Sequence, residues 1–508
     1  MGNCVSDYAN TTVVSNLFKL QKLSSISYLQ KIFTIVFLTG FSMTARTQTT
    51  TTIFYNATVV DVQSGKLLKH QEVIIAGNRI IAVNPNSKLK LPKDARIINA
   101  KGKYIIPGLW DMHVHVLEED EGYKWQFPLF ISNGIIGFRE MWGDRNLIDS
   151  IKSEMQKGTM PFFHFTASGH ILDGKKVFWK GSLSASDTTT ALSLVDSLIN
   201  AKVDFIKIYS FLEPEVFEAI AKRCKERNFP FVGHVPHRIW LTRASETGMA
   251  SMEHLYGFLI EACSFPDSAM KMKKINAENF EAGMESKLRI EKARSSEKFM
   301  LDNFSENRMR TIAKVLKRNN TYIVPTVVTN RGGYFTNDTL FTNDTRLKYL
   351  SQEAREEWKE ETENDIKKNS SEDWQNKRKR YDVEKIIIKI LSEEKVPILA
   401  GTDSYNPYAF PGFSLHDEMA LFVEFGMTPI DALRSATITP VKYLKMTDSL
   451  GTIETGKRAD MILLNGNPLT NIANTKNIFA VMVNGKLFTS GELDKMKETV
   501  IKTNSILK

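Results

Sequence analysis

The residues of this chain best placed to do chemistry are His113 and His115, which close the apolar run Pro107-Gly108-Leu109-Trp110-Asp111-Met112-His113-Val114-His115. Side chains two apart on an extended strand point the same way, so both imidazoles can aim at one ion. Two polar strand-end residues with no ligand role would be spelled identically, and the pair gains meaning only from the rest of the chain. Other apolar runs end in similar fashion: Lys207 in Asp204-Phe205-Ile206-Lys207-Ile208-Tyr209, His234 in Val232-Gly233-His234-Val235-Pro236, His254 in Met252-Glu253-His254-Leu255, and Asp403 in Ala400-Gly401-Thr402-Asp403-Ser404. Each alone also suits a structural part: a buried His satisfied by a carbonyl, a Lys paired with an acid, an Asp capping a helix. Capping alone does not account for the whole set, which offers the donors of a divalent metal site. Only Cys4, Cys224 and Cys263 are present, giving neither a disulfide framework nor a Cys-x-x-Cys zinc pattern, so any metal must be held by nitrogen and oxygen.

The elements that must position these residues alternate along the middle of the chain. Strand-like runs around Tyr104–Ile106 and Leu109–Val116, Ile135–Arg139, Phe162–Thr166, Phe205–Tyr209, Phe231–His234, Ser251–His254, Tyr322–Val328 and Ile398–Asp403 are separated by amphipathic helical stretches. That alternation predicts an α/β fold, a (β/α)8 barrel of parallel strands ringed by helices, whose chemistry sits at the C-terminal ends of its strands. The two chain ends read differently. Ile53 to Val60, Gln71 to Ala76, Arg79 to Val83 and Arg96 to Ile98 are short β-branched runs divided by turn signals, as expected of a small antiparallel sheet. Asp460 to Leu464 and Ile478 to Val483, followed by Asn484-Gly485-Lys486, repeat that grammar, so both ends are expected to form one small β-sandwich. The expected organisation is a leader over 1–48, a β-sandwich from 49–104 plus 446–495, and a barrel over 105–445 with a charged helical insertion at about 265–390.

Composition narrows the function classes. The chain has 508 residues, 42% hydrophobic and 25% charged, the proportions of an ordinary globular protein. Its net charge of +9 comes from Lys and Arg spread along the chain and mixed with Asp and Glu, with no aromatic-interleaved basic stripe, which argues against a nucleic-acid partner. Lys19, Lys22 and Lys31 precede an apolar stretch from Ile32 to Phe41 and then small and polar residues through Ala45-Arg46-Thr47-Gln48, the layout of an export signal. The stretch, about ten residues, is too short to span a bilayer. The expectation is export to the periplasm or outside, with the leader removed between about Met43 and Thr52 and no stable membrane span in the mature protein. Met1-Gly2-Asn3-Cys4-Val5-Ser6 matches the myristoylation pattern, leaving an N-terminal membrane anchor as the minor alternative. A homo-oligomer is compatible with all of this.

The ordered set of motifs resembles the amidohydrolase superfamily from about Ile53 to Thr489, through the His113/His115 segment, Lys207, Gly233-His234, Glu253-His254 and Gly401-Thr402-Asp403. Leu415-His416-Asp417-Glu418-Met419, Ala432-Leu433-Arg434-Ser435-Ala436-Thr437 and Gly456-Lys457-Arg458-Ala459-Asp460 resemble the family's last helix and its return into the sandwich. The resemblance implies two divalent cations, with zinc as the expected metal. His113, His115 and Asp403 would hold one and His234 and His254 the other. Two adjacent cations repel and need bridging anions, which neutral His cannot supply. In the family a Lys at the position of Lys207 reacts with carbon dioxide to give a bridging carbamate. A metal-bridging hydroxide is then the implied nucleophile, with Asp403 taking its proton as general base and passing it to the departing nitrogen as general acid.

The pattern is most similar to the imidazolonepropionase-like and prolidase-like branch, which implies hydrolysis of N-acyl amino acids, Xaa-Pro dipeptides or small cyclic amides. In that branch a Tyr two residues past the carbamate Lys and a His in the third-strand loop contact the substrate, which points to Tyr209 and His170. Interfacial packing of the Tyr and a plain loop role for the His are the structural alternatives. Deaminases of the superfamily usually carry a Glu three residues after the fifth-strand His, where this chain has His237. A mononuclear deaminase or cyclic amidase is therefore the runner-up. A noncatalytic scaffold on the same fold would have lost ligands, and none is missing. The long excursion between His254 and Ile398 includes Ser351 to Arg380, dense in Glu, Lys and Arg around Trp358 and Trp374. A solvated helical excursion is one reading of it and a lid over the barrel mouth the other.

Overall fold

The structure is a computed structural model and describes residues 51–85, 94–117 and 122–506. The leader read from the sequence lies outside the described residues. From Thr51 onward the chain is a (β/α)8 barrel with a smaller β-sandwich-like part built from both ends.

The barrel strands are short, buried and apolar, as strands covered on both faces must be. Leu109–Val114, Ile135–Glu140 and His164–Ala167 pair in parallel, and Ile206–Ile208, Phe231–Gly233, Ser251–Glu253 and Tyr322–Val324 pair in the same sense. The Asp204 N–H donates to the Ala167 carbonyl at 2.9 Å, which links the two sets. The segment from Ile398 closes the ring: Ile398 bridges Ile323 in parallel, and the Met112 N–H donates to Ala400 O at 2.9 Å. The Asp403 N–H donates to His113 O at 2.7 Å and His115 N–H to Ser404 O at 2.6 Å. Backbone pairing of the first and last strands therefore brings Asp403 beside His113 and His115 although the sequence separates them widely.

Three expectations change. The run at Tyr104 forms the strand Tyr104–Pro107, but it belongs to the terminal sheet, paired with Met461–Leu464 and Thr51–Asp61, and the barrel begins after Gly108. That sheet is mixed, because Thr51–Asp61 pairs antiparallel with Lys66–Ala76 but parallel with both Arg96–Asn99 and Tyr104–Pro107. Turn signals mark where strands end and carry no information on which distant strand each one joins. The run Tyr322–Val328 is strand only to Val324, since Thr326 turns into the left-handed region (φ 49°) and a helix, Val327–Tyr334, follows.

The terminal sheet runs Lys486–Thr489, Ile478–Val483, Met461–Leu464, Tyr104–Pro107, Thr51–Asp61, Lys66–Ala76, Arg79–Pro85. An antiparallel bridge from Arg79 to Arg458 curls it on itself around a core of its own that includes Phe54, Val73, Ile105, Met461 and Met482. The charged excursion is helical on both sides of Tyr322–Val324, with Pro266–Glu281, Ser286–Asp302 and Glu306–Arg318 before it and Gln352–Lys368 and Ser371–Glu393 after it. It is not simply solvated. Trp358 is 3% exposed and packs on Tyr405, Tyr408 and Phe410 at ring separations of 5.7, 5.7 and 5.4 Å. No helix among the described residues is long and apolar enough to cross a membrane.

Candidate metal centre

His113 is the penultimate residue of the first barrel strand, Leu109–Val114, and His115 stands just beyond it, so the strand's period places both rings on the mouth side. Their Nε2 atoms lie 3.2 and 3.3 Å from the same Asp403 oxygen, Oδ1, and one donor atom from each of the three residues falls within 4.8 Å of the others. His113 Nε2 and His115 Nδ1 are buried without a hydrogen-bond partner. His113 Nε2, orphaned and facing a carboxylate, is what a cation would satisfy.

The remaining predicted residues close in on this group. The His254 ring centre is 4.5 Å from that of His113, and the His234 ring is 5.0 Å from His254. Lys207 is 1% exposed, at the middle of Ile206–Ile208, with its ammonium in the field of Glu253 and Asp403. Burial is the largest influence on it and brings its pKa down to about 8. Burial likewise lowers His113 and His234 from the usual imidazole range and brings His254 to about 3, which favours the neutral form that binds metal. Asp403 is pulled the other way. Burial opposes its charge, but the imidazoles of His254 and His113 hold its carboxyl well below the ordinary range.

Local backbone explains how these side chains reach one place. His254 (φ 58°) and Asp403 (φ 56°) both sit in the left-handed region, a strained conformation that turns each side chain off its strand toward the mouth. Gly233 (φ +130°) has no room for a side chain, since a Cβ there would lie 2.1 Å from the Ile208 carbonyl oxygen, and this close approach seats His234 beside the Lys207 strand. At Gly401 a Cβ would come within 2.9 Å of the His113 backbone nitrogen.

A ring of polar residues that sequence reasoning did not assign orients the candidate ligands. The His113 Nδ1–H donates to Glu253 at 2.8 Å, and Glu253 is itself held by the buried Arg139 guanidinium at 2.8 and 3.0 Å and by the Ser251 hydroxyl at 2.7 Å. Thr326 Oγ1 lies 2.7 Å from His254 Nδ1, and Ser210 Oγ 2.8 Å from His234 Nδ1. Such partners fix ring orientation and tautomer. Asp111 accepts from the Thr402 N–H (2.9 Å) and hydroxyl (2.7 Å), anchoring the turn that carries Asp403. A charged pair closing an otherwise apolar strand, Arg139-Glu140, was the available signal for part of this network.

Of the two substrate-contact candidates, Tyr209 stacks on His234 with ring centres 3.9 Å apart, within the group. His170 stands farther out. Its Nδ1 is 3.2 Å from Gly181 O, and its ring meets Trp142, which meets Trp179, which lies 6.4 Å from His115. Two tryptophans thus wall the His115 side.

Known proteins share this architecture. A bottromycin amidohydrolase superposes with a TM-score of 0.68 over 89% of this chain and 90% of its own at 20% identity. A Xaa-Pro dipeptidase crystallised with methionine in its active site gives 0.59 over 87% and 100% at 18% identity. At these identities the likeness is one of fold. Among curated relatives, an adenine deaminase from Cenarchaeum symbiosum is 28% identical over 158 residues, 29% of this chain and 25% of its own length. The chain thus spans a quarter of that relative, and only 11% of a Mesorhizobium japonicum adenine deaminase that it also matches. The sequence pattern of the amidohydrolase family, in contrast, runs through residues 104–488, from the last sandwich strand before the barrel to the return strand after it, and on that match the chain belongs to the amidohydrolase family.

Proposed function

We propose that the protein is a metal-dependent hydrolase of carbon–nitrogen bonds acting on a small amide: an N-acyl amino acid, a Xaa-Pro dipeptide or a cyclic amide. The observation that carries this reading is the convergence of His113 Nε2 and His115 Nε2 on one Asp403 oxygen, the His113 nitrogen being buried with no hydrogen-bond partner. The donor set fits divalent cations, zinc first: His113, His115 and Asp403 would hold one, His234 and His254 would hold a second, and a carbamate on Lys207 would supply the anionic ligand they need. When bound, such ions supply Lewis acidity and a water that is acidic near neutrality.

The chain's own groups do the rest. With its carboxyl held ionised, Asp403 accepts a proton from the attacking water and returns it to the departing nitrogen. Lys207, brought to about 8 by burial, has its neutral amine within reach near neutrality, and that form adds to carbon dioxide with loss of one proton. Tyr209 and His170 are the proposed substrate contacts, and Trp142 and Trp179 exclude water on the His115 side. Export across a membrane remains part of the proposal, on the layout of residues 19–48.

The matches to adenine deaminases favour deamination as a second reading. His237 argues against it. Burial is the largest influence on this ring, and with the nearby charges of Lys273 and Arg238 it brings the pKa to about 3, so the ring resists taking up the proton that an anionic Glu there would shuttle. The test is a liquid-chromatography screen of zinc-loaded protein against dipeptides, N-acyl amino acids, hydantoin-like rings and adenine. Amide cleavage that disappears in Asp403→Asn while the metal stays bound supports the proposal. Ammonia release from adenine alone would replace it with the deaminase.

A further inference from the structure

We infer that Lys273 anchors a carboxylate of the substrate, in a pocket that this chain's inserted helices build against the candidate metal centre. The inference rests on the hydrolase reading above and names the class of molecule it takes: an amide bearing an apolar side chain and a free carboxylate.

The pocket is a cavity of about 230 Å3 whose lining includes Leu255 and Tyr256, the two residues that follow His254. Tyr256, two residues past His254, lines it, and its ring lies 4.7 Å from His234 and 5.4 Å from His254. Tyr256 is 41% exposed and is part of the cavity lining. The opposite walls come from the insertion. Lys273 stands on Pro266–Glu281, Arg294 and Glu297 on Ser286–Asp302, and Arg380 on Ser371–Glu393. Whole drug-sized ligand sites measure roughly 300–1,000 Å3, so this cavity is sized for one group of a substrate whose reacting bond lies at the metal centre.

The charges that line it are matched with one exception. Arg380 donates to Glu384 at 3.0 Å and pairs with Glu297 at 3.3 Å. Arg294 pairs with Asp373 at 3.0 Å and donates to Asn369 at 2.8 Å. Lys273 has no ion pair within 4.0 Å among the described residues. Glu297 acts on it only through its field, and Arg380 opposes it. A half-buried ammonium with no counter-ion is incompletely solvated, and an incoming carboxylate supplies both a counter-charge and hydrogen-bond acceptors. Apart from Tyr256 and a neutral His237, the rest of the lining is apolar, with Leu255, Leu259, Ile260 and Met300 each at most 5% exposed. A site that pairs one unmatched cation with an apolar wall selects an aliphatic amino-acid portion with its carboxylate intact.

The experiment measures calorimetric binding of N-acetyl-L-leucine and of N-acetyl-L-leucinamide to the zinc-loaded full chain, with release of leucine or leucinamide followed in parallel. Wild type should bind the carboxylate at least tenfold more tightly than the carboxamide. Lys273→Met should erase that preference while leaving carboxamide affinity and metal content unchanged, and Lys273→Glu should invert it. A preference that survives in Lys273→Met, equal binding of the two probes by wild type, or no binding of either at millimolar concentration overturns the inference. The hydrolase reading fails separately. If the preference behaves as expected but neither probe nor any amide in the screen is cleaved, the pocket stands and the activity does not. If amides are cleaved with no dependence on Lys273, the activity stands and the pocket does not.

Discussion

Replacing Glu253 by Gln keeps the volume and removes one charge from the most tightly bonded point behind the candidate centre. Its two oxygens accept from His113 Nδ1 at 2.8 Å, from Arg139 Nη2 at 2.8 and 3.0 Å, and from the Ser251 hydroxyl at 2.7 Å. Both charged partners, Arg139 and Glu253, are fully buried. In Glu253→Gln the amide NH2 must face at least one of these donors, and the Arg139 guanidinium loses its counter-charge. Breaking a buried pair from one side costs about 3–5 kcal/mol. Losing the carboxylate behind a ligand His lowers metal affinity by roughly 10–100-fold, or about 1.4–2.7 kcal/mol. Urea unfolding of the metal-free protein reads the first quantity and chelator competition the second. The double variant Arg139→Met/Glu253→Gln should recover part of the stability loss, because the two groups are coupled. A Glu253→Gln protein within about 1 kcal/mol of wild type, with zinc affinity unchanged, would refute the role given to this network.

Gly233→Ala should abolish folding or metal binding, since the new Cβ would meet backbone, the Ile208 carbonyl oxygen at 2.1 Å, at a φ of +130° that disfavours any side chain; expression and circular dichroism check it. His416 is buried between Thr475 Oγ1 (3.0 Å) and the Asn133 carbonyl (2.9 Å), and burial lowers its pKa from 6.5 to about 4. Its folded pKa lies below the unfolded one, so its contribution is full above pH 6.5, falls as the pH drops toward 4 and is then flat, by up to about 3 kcal/mol from a 2.5-unit difference. His416→Gln should flatten the stability difference over that window, read by unfolding at a series of pH values. Trp358→Ala removes a 3%-exposed ring from its aromatic seat at a cost of about 3–5 kcal/mol, and limited proteolysis should then cut within Gln352–Lys368 first.

The barrel and its mouth were legible because strand-end position is a local property. His113, His115, Lys207, His234, His254 and Asp403 each close an apolar run, and a parallel barrel brings such ends to one face. What supports them was not legible. Glu253 stands 140 residues from the His113 ring it holds and Thr326 72 residues from His254, and no periodicity links such pairs. Left-handed backbone at Asp403, His254 and Thr326 left no trace either, since none is a Gly. The terminal sheet was read with most of its strands but without Tyr104–Pro107 and without its parallel pairings, because pairing between Thr51–Asp61 and Tyr104–Pro107 depends on long-range packing. The insertion was legible as charged helix, whereas the buried face of Trp358 and the pocket at Lys273 needed coordinates.

Metal stoichiometry of Lys207→Ala, measured by plasma mass spectrometry with and without added propionate, tests the central claim most directly. In wild type two zinc ions per chain are expected. A buried ammonium beside cations adds repulsion, whereas a carbamate bridges them, so removing Lys207 should lose at least one ion. A short carboxylate able to fill the vacated space should restore part of the metal and of the turnover. Two ions per chain in Lys207→Ala without any added carboxylate would contradict the carbamate-bridged centre on which the proposed amide hydrolysis depends.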